Sequence, residues 1–171
     1  MSSPHLLRPF PARQLGLVEG GDRVMVFGVL GGRYAGPSML AHAPTLMRRC
    51  NELPPEVDIV AFVDHATPDA AVVARIDDML AVFDGGDALV CFQKTTEAMK
   101  EVAGEVVVRG VDRSQLVAVR SPEVIRRSAL DRAMTNPPAE LWVNPTALVA
   151  ACGGVIKLFS PITMAAPPSL G

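Results

Sequence analysis

The run Asp58-Ile-Val-Ala-Phe-Val63, closed by Asp64, constrains this chain more than any other stretch. From Ile59 to Val63 it is continuously apolar, too short for a core helix and rich in β-branched residues, which predicts an inner strand of a parallel sheet covered on both faces. Asp64 marks where burial ends. In an open α/β sheet ligands bind at the carboxyl ends of strands, so an acid at that edge can reach a ligand or a metal from an anchored backbone. An acid there can equally cap a helix starting near Pro68, or simply be solvated.

The second constraint is the segment that follows. Val72, Val73, Ile76, Met79, Leu80 and Phe83 recur at the spacing of one buried helical stripe between Asp69 and Phe83. Asp84-Gly85-Gly86 breaks that helix, and Asp87 to Phe92 reads as another buried strand. A strand-helix-strand unit of this kind predicts Ile59–Val63 and Ala88–Phe92 as adjacent parallel strands, joined by a right-handed crossover. The fold class is α/β.

The remaining segments frame this unit. Met1 to Gly21, with Pro4, Pro9 and Pro11, reads as an irregular lead-in (1–21) before a domain over 22–160 and a flexible tail over 161–171. Arg23–Gly28 is a strand candidate entering the glycine-rich stretch Gly28–Gly36. There Gly31, Gly32 and Arg33 could cradle a phosphate, but the order matches neither established phosphate-loop pattern, so an ordinary loop is the competing reading. Pro37–Asn51 has helical character. Thr95–Lys100 and Glu105–Val111, about Ala103-Gly104, predict a hairpin leaving the main sheet, a β-arm at about 95–111. Ser121-Pro122-Glu123 has the chemistry of a helix start, with Ser as N-cap and Pro first, and predicts a helix to Met134 with Arg126 and Arg127 solvated. Asn136-Pro137-Pro138 ends it. Asn144-Pro145 opens a last helix through Cys152, and Val155–Phe159 is a last strand candidate.

Composition excludes several classes. In 171 residues, 49% are hydrophobic and 20% charged, with a net charge of -2, a globular balance without the basic surplus of a nucleic-acid or anionic-membrane binder. Apolar runs fall short of the roughly 18 to 20 residues that span a bilayer, and the expected location is cytoplasmic. Cys50, Cys91 and Cys152 are widely spaced within apolar-patterned elements, which predicts buried reduced thiols rather than zinc ligands or disulfides.

Thr45 to Asp64, Thr96 to Lys100, Val111 to Glu123 and Ala147 to Gly154 each resemble segments of one family, the 2-C-methyl-D-erythritol 4-phosphate cytidylyltransferases. Thr45 to Asp64, TLMRRCNELPPEVDIVAFVD, is similar without a gap to the family segment that leads to the aspartate of an Asp-Ala-Ala-Arg-Pro motif, which stands here as Asp64-His65-Ala66-Thr67-Pro68. Thr96-Glu-Ala-Met-Lys100 resembles the family's Thr-Asp-Thr-Ile-Lys. Val111 to Glu123 resembles its Val-Asp-Arg segment running into Thr-Pro-Gln, and Ala147 to Gly154 resembles its penultimate helix. The resemblance implies a Rossmann-like nucleotidyltransferase sheet with a protruding β-arm, here lacking the family's N-terminal third. It also implies a homodimer through the arm, and attack of a sugar-alcohol phosphate on the α-phosphate of CTP, or use of another nucleotide, with Mg2+ bridging phosphates. By matching position, Asp64 would hold the metal and the nucleotide, Thr45 would replace a nucleotide-contacting serine, and Lys100 and Arg113 would lie on the substrate side. No catalytic nucleophile is assigned, since charge stabilisation suffices for such a transfer.

The departures are chemical. The family's motif arginine is Thr67, the glutamine of Thr-Pro-Gln is Glu123, an expected acidic pair is Asn144-Pro145, and no stretch after Phe159 matches the family's phosphate-binding lysine. Cations and acids are replaced while apolar positions persist. Two readings compete: a divergent nucleotidyltransferase with a site rebuilt from Gly28–Arg33 and Asp64, or a non-catalytic binding or partner subunit that keeps the fold and arm. Loss of one charge-stabilising group costs on the order of 10² to 10³ in rate, so the residues favour a degenerate member with little or no such activity alone.

Overall fold

The computed structural model describes residues 7–11, 24–29, 50–64, 68–135 and 144–160. Eight strands are defined: β1 (Leu7–Pro11), β2 (Val24–Val29), β3 (Ile59–Val63), β4 (Ala88–Lys94), β5 (Met99–Ala103), β6 (Val106–Val111), β7 (Val117–Arg126) and β8 (Ile156–Phe159). The helices are α1 (Ala70–Ala81), α2 (Arg127–Thr135) and α3 (Pro145–Ala151). Six strands form one sheet in the order β1-β2-β3-β7-β4-β8, while β5 and β6 form a separate two-stranded ribbon.

The apolar runs behave as their patterns dictate. Val60 to Val63 are fully buried, and β3 is parallel to β2, with Val24 opposite Ile59. Asp69 caps α1, its Oδ1 accepting the Val72 N–H at 2.9 Å. Capping therefore belongs to Asp69, and the capping role considered for Asp64 is set aside. Ile76 and Met79 of α1 are buried against Ala61, Val63, Leu89, Cys91 and Val124 on one face of the sheet, each worth about 1.5–3 kcal/mol of apolar burial. On the other face, Ala129, Leu130 and Ala133 of α2 and Leu148 and Val149 of α3 cover Val60, Phe62, Ala88 and Ile125. The Phe27 and Phe62 rings stack there at 5.6 Å.

The adjacency expected of β3 and β4 is not observed. They run in the same direction, but β7 lies between them, antiparallel to both. The helix expected from Ser121 is accordingly a strand as far as Arg126. Ser and Pro satisfy a local helix-start pattern, yet Val124 and Ile125 are fully buried between two neighbouring ladders, and this non-local pairing outweighs local cap preference. Proline lacks the N–H a central ladder needs. Ser121 and Pro122 accordingly fall where the β4–β7 register shifts, between Val90 opposite Glu123 and Cys91 opposite Arg120.

Three smaller expectations are also corrected. Leu7–Pro11, within the supposedly irregular lead-in, is an edge strand paired antiparallel to β2, a position that tolerates proline. Arg126 and Arg127 are not simply solvated. Arg126 Nε donates to the Gly86 carbonyl at 2.8 Å, and its guanidinium lies 4.8 Å from the Phe83 ring centre. Arg127 Nη1 donates to the Pro54 carbonyl at 2.7 Å. All three cysteines are free thiols, but only Cys50 and Cys91 are buried, and Cys152 is exposed. Burial pushes the Cys50 thiol up to about 12, which keeps it unreactive.

Candidate functional site at the carboxyl edge of the sheet

Asp64 follows the last residue of β3 and is half-buried. Its backbone N–H donates to Ser121 Oγ at 3.1 Å, which ties the end of β3 to the irregular point of β7. Two residues further along β7, Glu123 stands opposite Phe62. Glu123 is an acid only 2% exposed, in a strand whose next two residues are core.

The opposite wall of this edge is the start of α3. Asn144 caps that helix, its Oδ1 accepting the Ala147 N–H at 2.7 Å, and Pro145 occupies the first turn where its missing N–H is harmless. The next backbone N–H, that of Thr146, donates to Glu123 Oε2 at 3.2 Å. Thr146 is 4% exposed, with its side chain buried beside the Glu123 carboxyl. Burial pushes the Glu123 carboxyl up to about 7, with the charge of Asp64 adding to the rise and Thr146 opposing it. An acid near that value exchanges its proton around neutral pH.

The other residues singled out from the sequence separate into two groups. Thr45, Gly31, Gly32 and Arg33 lie outside the described residues. Lys100 and Arg113 are both exposed and belong to the arm region. Lys100 pairs with Gly110 across the ribbon. Arg113 sits in a short 3-10 turn, Arg113–Gln115, and its Nη1 donates to the Thr96 carbonyl at 2.7 Å, bracing the base of the arm. A cleft of about 290 Å³ at that base is lined by Gln93, Lys94, Thr96, Glu97 and Arg120 among others. A second, of about 190 Å³, lies between Asp69, Arg75, Ser121 and Pro122.

Among the described residues no group of three or more His, Cys, Asp or Glu side chains converges as a ready-made metal cage. Magnesium does not require one, since it is commonly held by one or two carboxylates plus phosphates and water. Asp64, with Glu123 behind it, fits that mode. Sequence reasoning placed Glu123 in a helix start and as a departure from a motif, and missed Thr146 entirely. The available signal was an acid set directly against the apolar pair Val124-Ile125, which a strand reading would have buried.

A mixed sheet with helices on both faces and a separate two-stranded ribbon define a mixed α/β domain. No protein-family model matches the chain. Over 159 residues, 91% of its length, the chain is 29% identical to the bifunctional enzyme IspD/IspF of Nitratidesulfovibrio vulgaris, in strains DP4 and Hildenborough, and it spans 38% of those proteins. Among solved structures it is similar to the 4-diphosphocytidyl-2C-methyl-D-erythritol synthase of Anaerococcus prevotii, with TM-score 0.57 and 12% identity, covering 68% of this chain and 55% of that one. It is also similar to the 2-C-methyl-D-erythritol 4-phosphate cytidylyltransferase of Thermus thermophilus, with TM-score 0.55 and 17% identity over 79% of this chain and 70% of that one. The family resemblance is upheld over a longer stretch of the chain than the strings Thr45–Asp64 and Val111–Glu123 cover, and so is the α/β class of the fold.

Proposed function

We propose that this protein is a degenerate relative of the methylerythritol phosphate cytidylyltransferases, working in the cytoplasm, which binds a nucleoside triphosphate weakly and transfers little or no cytidylyl group alone. The observation that carries the reading is Glu123, buried beside Asp64 at the edge where a triphosphate would have to lie. A carboxylate about 6 Å from a phosphate charge costs about 3 kcal/mol at an effective dielectric constant near 20. Keeping Glu123 protonated instead shifts that cost onto proton uptake. A threonine at position 67, where the family has arginine, removes a compensating cation.

In this reading Asp64 is the residue that would hold Mg2+, which when bound would neutralise phosphate charge. Ser121 acts through Asp64 as a positioning residue, because its hydroxyl accepts the Asp64 N–H and fixes the backbone from which the carboxylate projects. Arg113 positions the arm base through the Thr96 carbonyl. A second reading, a non-catalytic partner subunit that dimerises through the arm, is favoured by the exposed valines of β5 and β6.

The test is a pyrophosphate-release assay on the full chain with CTP, Mg2+ and methylerythritol phosphate, joined to calorimetry of CTP with and without Mg2+. Turnover far below the ordinary enzyme range of about 1 to 10³ per second is expected. Turnover within that range, abolished by Asp64→Ala, overturns the proposal.

A further inference from the structure

We propose that the cleft between α1 and β7 is an inorganic-phosphate site, in which Arg75 supplies the charge and Asp69 selects for an anion that still carries a proton. The inference rests on no nucleotide and no transfer chemistry.

Arg75 is the residue that points there. Arg109, Arg113, Arg120, Arg126, Arg127 and Arg132 each donate to an oxygen. The half-buried Arg75 guanidinium instead meets the thiol of Cys91, which burial pushes up and Arg75 holds back. A guanidinium has five N–H donors and a thiol is a weak acceptor, so most of those donors remain for a ligand or water. Helical side chains lean towards the helix N-terminus, which carries this cation from the second turn of α1 towards the carboxyl edge. There it lines a cleft of about 190 Å³ with Asp69, Val72, Ser121 and Pro122. Val72 and Cys91 belong to the cluster beneath α1, whereas Glu123 bonds α3 on the other face of the sheet. The cleft is therefore separate from the Glu123 pocket.

The lining chemistry selects the ligand. Ser121 Oγ accepts the Asp64 N–H at 3.1 Å, which leaves its own O–H to donate. Asp69 Oδ1 accepts the Val72 N–H at 2.9 Å, and its second oxygen remains an acceptor. Arg75 and Ser121 thus offer donors to ionised oxygens, while Asp69 asks for a donor in return. Inorganic phosphate at neutral pH carries both ionised oxygens and a P–OH. Sulfate has the same shape but is fully ionised, so it meets the Asp69 carboxylate without a proton between them. A phosphate ester loses its last proton near pH 6 and is disfavoured for the same reason. The volume lies below the roughly 300 to 1,000 Å³ of an ordinary ligand pocket, which suits one small anion and not a nucleotide.

The experiment is calorimetry of the full chain with sodium phosphate, sodium sulfate and glycerol 3-phosphate at pH 7 and matched ionic strength. One equivalent of phosphate bound with a Kd below about 1 mM is expected, with the other two anions at least about 10-fold weaker. Arg75→Gln should weaken phosphate binding about 10- to 100-fold, the loss of a charge-assisted hydrogen bond. Asp69→Asn keeps the helix cap and should narrow the gap between phosphate and sulfate. Arg109→Gln in the arm should change neither. No phosphate binding below about 1 mM overturns the site, as does equal binding by an Arg75→Gln variant that keeps the parent's thermal midpoint. Sulfate or glycerol 3-phosphate bound as tightly as phosphate overturns the selection by Asp69. Phosphate binding lost in Asp64→Ala also overturns the proposal, by placing the anion at the nucleotide edge. Failure of CTP alone to bind bears on the proposed function and leaves this site standing.

Discussion

The Glu123 carboxyl, in the middle of the sheet, accepts the backbone N–H of Thr146 in the first turn of α3 at 3.2 Å. One hydrogen bond thus joins the central strand to the helix that walls the site. It also buries an acid whose ionisation the surrounding core resists.

That burial predicts a pH-dependent stability. The folded-state value of Glu123 is about 7 against an ordinary 4.5, so the folded chain binds more protons than the unfolded chain between these values. The favourable contribution is complete below about 4.5, declines as pH rises through 7, and is absent above. Glu123→Gln removes the titration. It should be the more stable form at pH 8, by up to about 3 kcal/mol, with the gap closing towards pH 5. Urea midpoints of both proteins at the two pH values check this, and a gap independent of pH would count against it.

Asp87 shows the opposite sign. Its Oδ2 accepts the Val155 N–H at 2.9 Å and its Oδ1 accepts from Arg132 Nη2 at 2.8 Å, so it fastens β4 to the chain entering β8 and to α2. The Val155 N–H, and then Arg132, hold its carboxyl below the ordinary range. Its contribution is present above the unfolded value and is lost as pH falls through the lower folded one. Asp87→Ala should cost about 1 kcal/mol at pH 7, measured by urea unfolding, and the difference should shrink in acid.

How much was legible follows from which interactions are local. The helix stripe of α1, the Asn144-Pro145 start of α3, the arm and the apolar runs of β2, β3, β4 and β8 are written in periods and caps within a few residues of one another. The position of β7 is not. Ser121-Pro122 carries a helix-start signal that is overruled by ladders to residues about 30 and 60 positions away, and no window of sequence contains those partners. The same error hid Glu123, since an acid in a helix's first turn is solvated and an acid in a central strand is buried. Asp64 was legible because an acid directly after a buried strand marks the sheet's edge wherever its neighbours lie.

Gly154 tests the turn after α3. A Cβ there would overlap Val149 Cγ1 and lie 2.8 Å from the Val149 carbonyl oxygen, which already accepts the Gly154 N–H at 2.9 Å. The clash involves backbone, so a side-chain rotation cannot relieve it. Gly154→Ala should destabilise by about 1–3 kcal/mol, read as a lowered thermal midpoint, whereas an unchanged midpoint would show that α3 shifts freely.

The arm makes the last prediction, on assembly. Every residue of β5 is exposed, and so are Val106, Val107 and Val108 of β6, at 67%, 57% and 56%. Because neighbouring strand residues point to opposite faces, Val106 and Val107 leave apolar side chains on both faces of the ribbon. A two-stranded hairpin is marginal alone, and the exposed Glu101–Arg109 ion pair across it adds only about 0–1 kcal/mol. Covering these valines with a second copy would supply the missing burial, the arrangement of the second reading above. A dimer at micromolar concentration is therefore expected in sedimentation velocity, converting to a monomer with the sheet's far-ultraviolet signal intact in Val106→Lys/Val108→Lys. A monomeric parent, or a dimer indifferent to both lysines, would remove the arm from the interface.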